Sequence, residues 1–125
     1  MKENEIADAV LDHAFRIHRQ YGPGLLESVY EEVLCYELRK AGHTVYRQQQ
    51  VSLIHEELYI PIAFRADLIV DHLLLVELKS VSDLPRDCFK IVNTYLRLSH
   101  IRLGLVINFG AGLLKDGIRR VANGL

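Results

Sequence analysis

The segment from Phe64 to Ser80, FRADLIVDHLLLVELKS, leaves the chain few ways to fold. Two apolar runs meet at Asp71-His72; Asp67 interrupts the first, and Glu77 and Lys79 interrupt the second. If both runs are strands, side chains alternate between faces, so Glu77 and Lys79 project from one face while Leu78 points to the other. A hairpin closed at Asp71-His72 brings Asp67 back beside Glu77. Two carboxylates and an ammonium then converge on one spot against a background of leucine, isoleucine and valine.

A charge in the middle of a buried strand is expensive unless it is paired or binds a metal, so Val76-Glu77-Leu78-Lys79 needs a physical reason. Carboxylate oxygens gathered at one point suit a hard divalent cation such as Mg2+, completed by waters and a substrate phosphate. Such an ion polarises a phosphoryl oxygen and lowers the pKa of a bound water. Lys79 can then hold or deprotonate the attacking water, or neutralise charge on the phosphate. The plainer reading is structural: Lys79 as a strand-end lysine with its head in solvent, Asp67 as a turn cap, and Glu77 with Lys79 as a same-face ion pair worth little. These three residues alone leave both readings open.

A chain of 125 residues is expected to form one domain, 1–125, with room for a hydrophobic core. Half of it is hydrophobic and a quarter charged, as in a globular protein rather than a disordered one. The net charge of -1 gives no basic footprint, which counts against a large nucleic-acid interface but not a small one. Cys35 and Cys88 belong to no Cys/His cluster, so neither zinc nor a disulfide framework is expected. The start, MKENEIADAV, lacks the pattern of a secretory leader, and no apolar run reaches membrane-spanning length. A cytoplasmic location with no membrane partner is expected.

From Glu5 to about Arg19, Ile6, Val10, Ala14 and Ile17 recur at helical spacing. His13 and His18 are five apart, the wrong spacing for two ligands on one helix face, and read as packing or surface residues. Tyr21-Gly22-Pro23-Gly24 makes a turn, and a second helix is expected from about Leu25 to Lys40, with Leu26, Tyr30, Val33, Leu34 and Leu38 inward. Glu27 in its first turn shares a face with Tyr30; it either answers the helix dipole or aims into the domain, where it needs a partner. Strand is expected from His43 to about Leu53 around the polar triplet Gln48-Gln49-Gln50, then a turn at His55-Glu56-Glu57, then strands Ile62–Val70 and Leu73–Lys79. A third helix from about Arg86 to Leu98 carries Phe89, Val92, Tyr95 and Leu96 on one side. Ile101 to Phe109 is a further, covered strand, and Leu113 to Val121 reads as a short helix or strand. The order α-α-β-β-β-α-β describes an α/β fold, a mixed sheet flanked by helices, in which the second helix can deliver Glu27 to the charged cluster.

Asp67 followed by Glu77-Leu78-Lys79 resembles the D-x(n)-(D/E)-x-K signature of the PD-(D/E)XK nuclease superfamily. Gly24-Leu25-Leu26-Glu27-Ser28-Val29-Tyr30 resembles the motif that names the GxxExxY protein family within it. The flanking FRADLIV, LLVELKS and IRLGLVINFG segments are similar to that family as well, so the resemblance spans about residues 5 to 110. It implies a restriction-endonuclease-like core, with Asp67, Glu77 and Glu27 as metal ligands and Lys79 as the catalytic lysine. It also implies Mg2+ or Mn2+ as cofactor and hydrolysis of phosphodiester bonds in DNA or RNA. Two positions depart from the pattern. Ala66 stands where the superfamily's name has proline, and Ile91 stands where such proteins often carry a glutamine in the helix after the E-x-K strand. Lys90 and Asn93 are the nearest polar candidates there for a fifth site residue.

Three functions fit these features. The first is a metal-dependent nuclease. The second is a catalytically inactive module of the same core that binds nucleic acid or a protein partner, and the third is a homodimer assembled through the apolar strands.

Overall fold

The apolar stripe Ile6, Val10, Ala14 and Ile17 winds into helix α1 (Glu3–Tyr21), with all four residues buried. The computed structural model describes residues 2–125. After α1 come α2 (Glu27–Lys40), β1 (Val45–His55), β2 (Leu58–Val70), β3 (Leu74–Lys79), α3 (Cys88–Ser99), β4 (Leu103–Asn108), a 3-10 turn (Leu114–Gly117) and β5 (Ile118–Ala122). The strands form one mixed sheet in the order β1-β2-β3-β4-β5. β3 and β4 run parallel, joined by the α3 crossover, and the other neighbours are antiparallel.

Helices cover both faces. Tyr30, Leu34 and Leu38 of α2 and the stripe of α1 pack on Leu68, Leu74, Val76, Leu78, Leu105 and Ile107. Val92 and Leu96 of α3 pack on Phe64, Ala66, Ile69, Leu75 and Val106 on the other side. Every residue of β4 is buried, as expected for a strand covered on both faces. In β3, alternation puts Leu74, Val76 and Leu78 in the α1–α2 core, where each contributes about 1.5–3 kcal/mol by burial. That contribution offsets the cost of carrying Glu77 on the opposite face.

The turn between β2 and β3 fixes this register. Asp71 and His72 have φ of 52° and 61°, and the Leu73 N–H closes onto the Val70 carbonyl at 3.1 Å. Positive φ at both central residues is the hairpin geometry that matches strand twist, although glycine or asparagine usually supplies it. Here Asp71 is held from outside: its Oδ1 accepts the Thr44 N–H at 2.9 Å and its Oδ2 meets His43 Nδ1 at 2.7 Å.

Several expectations are corrected. Leu26 is 73% exposed rather than inward, because it is the residue before α2, with an extended backbone (φ -64°, ψ 148°), and the helical phase does not reach it. Phe89 is 50% exposed; α3 starts at Cys88, which takes the buried position, so the inner stripe runs Cys88, Val92, Leu96. Leu113 to Val121, expected as a short helix or strand, holds both, the 3-10 turn and then β5, which adds a fifth strand to the expected order. β1 and β2 extend past the sheet as a ribbon to the turn at Glu56-Glu57, with Pro61 beside a register shift where no ladder bond is needed. His18 packs near Phe109, and its Nε2 meets the Ala111 carbonyl at 2.8 Å.

Candidate active site

The β2–β3 ladder pairs Leu68 with Val76, Ile69 with Leu75 and Val70 with Leu74, and then stops. One step further, Asp67 and Glu77 replace backbone bonds with side-chain ones. The Asp67 N–H donates to Glu77 Oε1 at 3.3 Å, and the Leu78 N–H donates to Asp67 Oδ2 at 2.8 Å. Each carboxylate thus caps the other strand's backbone where the strands part, which explains how two like charges come to lie side by side. Lys79, two residues on, shares the face of Glu77.

That face opens on a cavity of about 140 Å³ lined by Glu77, Lys79, Cys88, Ile91, Val92 and Tyr95. Glu77 is buried, and burial, followed by the charge of Asp67, pushes its carboxyl up to about 8. Lys79 works in the opposite direction but does not win. The Tyr95 phenol, stacked on Phe64 with centroids 3.8 Å apart, is raised by its own burial and then by the charge of Glu77. A broader groove of about 910 Å³ lies between β1 and the C-terminal end of α3, and none of the four expected site residues lines it.

Glu27 reaches this end of the sheet through a set of bonds made by its own motif. Tyr30 is fully buried and stacks on Phe109 with centroids 4.4 Å apart. Its hydroxyl donates to the Gly22 carbonyl and accepts the Leu25 N–H at 3.1 Å, so it ties down the turn before α2. Ser80, just past Lys79, donates from Oγ to the Leu25 carbonyl at 2.8 Å and joins that turn to the end of β3. The glycine requirement falls on Gly22, with φ 74°; a β-carbon on Gly24 would meet nothing. Glu27 itself is exposed in the first turn of α2. Its carboxyl is raised by partial burial and then by the charge of Asp67, with Lys79 opposing.

The structure therefore brings Asp67, Glu77 and Lys79 together and holds Glu27 within electrostatic range but outside contact. Among the described residues, no three His, Cys, Asp or Glu side chains surround one point closely enough to hold a metal ion between them. The donor set still fits a hard divalent cation of the kind that takes one or two carboxylates plus waters and phosphate. Asp67 and Glu77 adjoin, and a cation between them would offset the two effects that raise Glu77, its burial first and the charge of Asp67 second.

Other residues of the site carried weaker signals in the sequence. Gln48 Nε2 lies 3.1 Å from Asp67 Oδ1 and 2.7 Å from Glu31 Oε1, bringing an amide to the site from β1. Neither Lys90 nor Asn93 fills the fifth position, since both border a separate groove between α3 and β5. Asn108, 2% exposed, fixes the loop after β3: its Oδ1 accepts the Val81 and Gly110 N–H groups, each at 3.0 Å, and its Nδ2 donates to the Val81 carbonyl at 2.9 Å. A buried asparagine in an apolar strand was the available sign.

A family model of the PD-(D/E)XK nuclease superfamily matches residues 4–121. The chain belongs to that superfamily, and its three helices and five-stranded mixed sheet agree with a restriction-endonuclease-like fold. No curated protein and no solved structure matches it. Among the described residues, no helix is long and apolar enough to cross a membrane.

Proposed function

We propose that this protein is a metal-dependent nuclease of the GxxExxY type that hydrolyses phosphodiester bonds of DNA or RNA. The observation that carries the reading is the Asp67–Glu77 pair, two adjoining carboxylates of which Glu77 lines a cavity together with Lys79. Asp67 and Glu77 are the residues to hold Mg2+ or Mn2+, with Glu27 adding a third carboxylate within electrostatic range of Asp67. When bound, the ion supplies Lewis-acid polarisation of the phosphate and a more acidic water.

The chain's own groups do the rest. Asp67 is oriented by the Leu78 N–H, and Glu77 by the Asp67 N–H, so neither carboxylate turns freely. Lys79 sets its ammonium against the phosphate oxygens and donates to the attacking water. The water oxygen bonds to phosphorus as it gives up a proton to bulk solvent, the bond to the leaving oxygen breaks, and that oxygen takes a proton from solvent in turn. Cys88, Ile91 and Val92 make the cavity wall apolar, which strengthens these charge interactions by keeping water away.

The test is cleavage of labelled single- and double-stranded DNA and RNA in Mn2+ by the wild type and Lys79→Ala, with folding checked by circular dichroism. The expected result is cleavage by the wild type and at least a hundredfold loss in a folded Lys79→Ala, as when a group that stabilises charge in the transition state is removed. Full activity in that variant sinks the assignment of Lys79. A folded wild type that binds nucleic acid without cutting it supports the inactive module instead.

A further inference from the structure

The polar triplet Gln48-Gln49-Gln50 has no place in the hydrolytic scheme, yet one of its members is held unlike the others. Gln48 has φ 50°, a left-handed backbone that residues bearing a β-carbon rarely adopt. The β1–β2 ladder pairs Arg47 with Leu68 and Gln49 with Ala66, and skips Gln48 and Asp67 between them. Strained, unpaired backbone in mid-strand persists only where surrounding contacts over-determine it.

Those contacts form a chain that ends on Asp67. Arg47 donates from Nε and Nη2 to Glu31 Oε2 at 3.2 and 3.1 Å. Glu31, buried on α2, presents its other oxygen to Gln48 Nε2 at 2.7 Å, and the same nitrogen donates to Asp67 Oδ1 at 3.1 Å. The far oxygen of Asp67 is already taken by the Leu78 N–H. Asp67 is thus gripped at both oxygens, from β3 on one side and through Gln48 on the other. The two hydrogens of one amide can serve two carboxylates at once without neutralising either, so the local negative charge is ordered but kept. By contrast, Gln49 Nε2 reaches only the neighbouring Gln50 carbonyl, at 3.3 Å.

We propose that Gln48 is a positioning residue for Asp67: the Arg47–Glu31–Gln48 chain sets the angle of the Asp67 carboxylate so that it and Glu77 can grip a divalent cation. The proposal rests on the metal reading above and extends it to a strand that carries none of the expected site residues. Partners that orient a ligating carboxylate typically change metal affinity by about 10- to 100-fold when removed. Gln48→Gly separates this role from a folding role, because glycine removes the amide and relieves the left-handed backbone in one step.

The experiment measures Mn2+ affinity by calorimetry, and metal-free thermal unfolding, for the wild type, Gln48→Gly, Gln49→Ala and Asp67→Asn. Gln48→Gly is expected to melt at or above the wild-type temperature while binding Mn2+ about 10- to 100-fold more weakly. Gln49→Ala is expected to match the wild type in both. A Gln48→Gly variant that binds Mn2+ like the wild type, or one that melts well below it, overturns the positioning role. Wild-type binding lost in Asp67→Asn but kept in Gln48→Gly removes this proposal alone, whereas a wild type with no Mn2+ affinity brings down the metal reading and this proposal with it.

Discussion

Replacing Glu77 by glutamine should stabilise the metal-free protein, and by more the higher the pH. Burial and the adjoining charge of Asp67 push the Glu77 carboxyl from its ordinary 4.5 to about 8. Between those values the folded chain keeps a proton that the unfolded chain has released, so stability falls as pH rises. The contribution is complete below the unfolded value and gone above the folded one. At 1.36 kcal/mol per pH unit the whole displacement amounts to roughly 5 kcal/mol, to the order of magnitude, and it belongs to the Asp67–Glu77 pair rather than to one group. Glutamine keeps an acceptor for the Asp67 N–H and has no charge to bury. Urea unfolding in EDTA across about pH 5 to 9 should therefore show the two proteins close together at the acid end. Glu77→Gln should pull ahead by several kcal/mol at the alkaline end. Saturating Mn2+ should reverse the order, because the cation favours the ionised pair that only the wild type has. Equal pH slopes for the two proteins in EDTA would refute the buried-pair account.

Three further outcomes test the frame around the site. Tyr30→Phe removes the hydroxyl that serves Gly22 and Leu25, and should lower stability by about 1–3 kcal/mol in denaturant unfolding. Asn108→Ala strands the Val81 N–H, the Val81 carbonyl and the Gly110 N–H, and should cost on the order of 3 kcal/mol by the same measurement. Gly110→Ala would drive a β-carbon into the Val81 carbonyl oxygen; soluble yield and melting temperature should both drop, and an unchanged melting temperature would show that the loop can yield.

The heart of the fold was readable because local rules there left one solution. Apolar runs on either side of Asp71-His72, with period-two alternation, can bury their leucines only as a hairpin, and that register sets Asp67 opposite Glu77. The turn itself was less obvious, since neither residue is glycine. Its left-handed geometry depends on His43 and Thr44, which are distant in sequence. The phase of α3 slipped by one residue because Phe89 is the larger apolar side chain, whereas the start of the helix at Cys88 decides which face turns inward. β5 was legible only as a short helix or strand, because it is five residues long, carries Arg119 and Arg120, and gains its place by pairing with β4.

The site divides in the same way. Asp67, Glu77 and Lys79 stand out because charge inside an apolar strand demands a cause. Gln48 stands out only once the register is known, for three glutamines in a row give no sign of which one reaches Asp67. Glu27 was expected beside Tyr30, and Tyr30 proves to be what anchors the turn that carries it. The exposure of Leu26 shows that the stripe assumed for that helix begins one residue too early.

The most direct test of the central claim is a calorimetric Mn2+ titration of the wild type against Asp67→Ala near neutral pH, in buffers of different ionisation enthalpy and with folding confirmed by circular dichroism. The expected result is binding by the wild type with release of a proton, since Glu77 must ionise to hold the cation, and loss of that binding in folded Asp67→Ala. Mn2+ binding that survives in Asp67→Ala, or that releases no proton in the wild type, would contradict a metal site built on the Asp67–Glu77 pair.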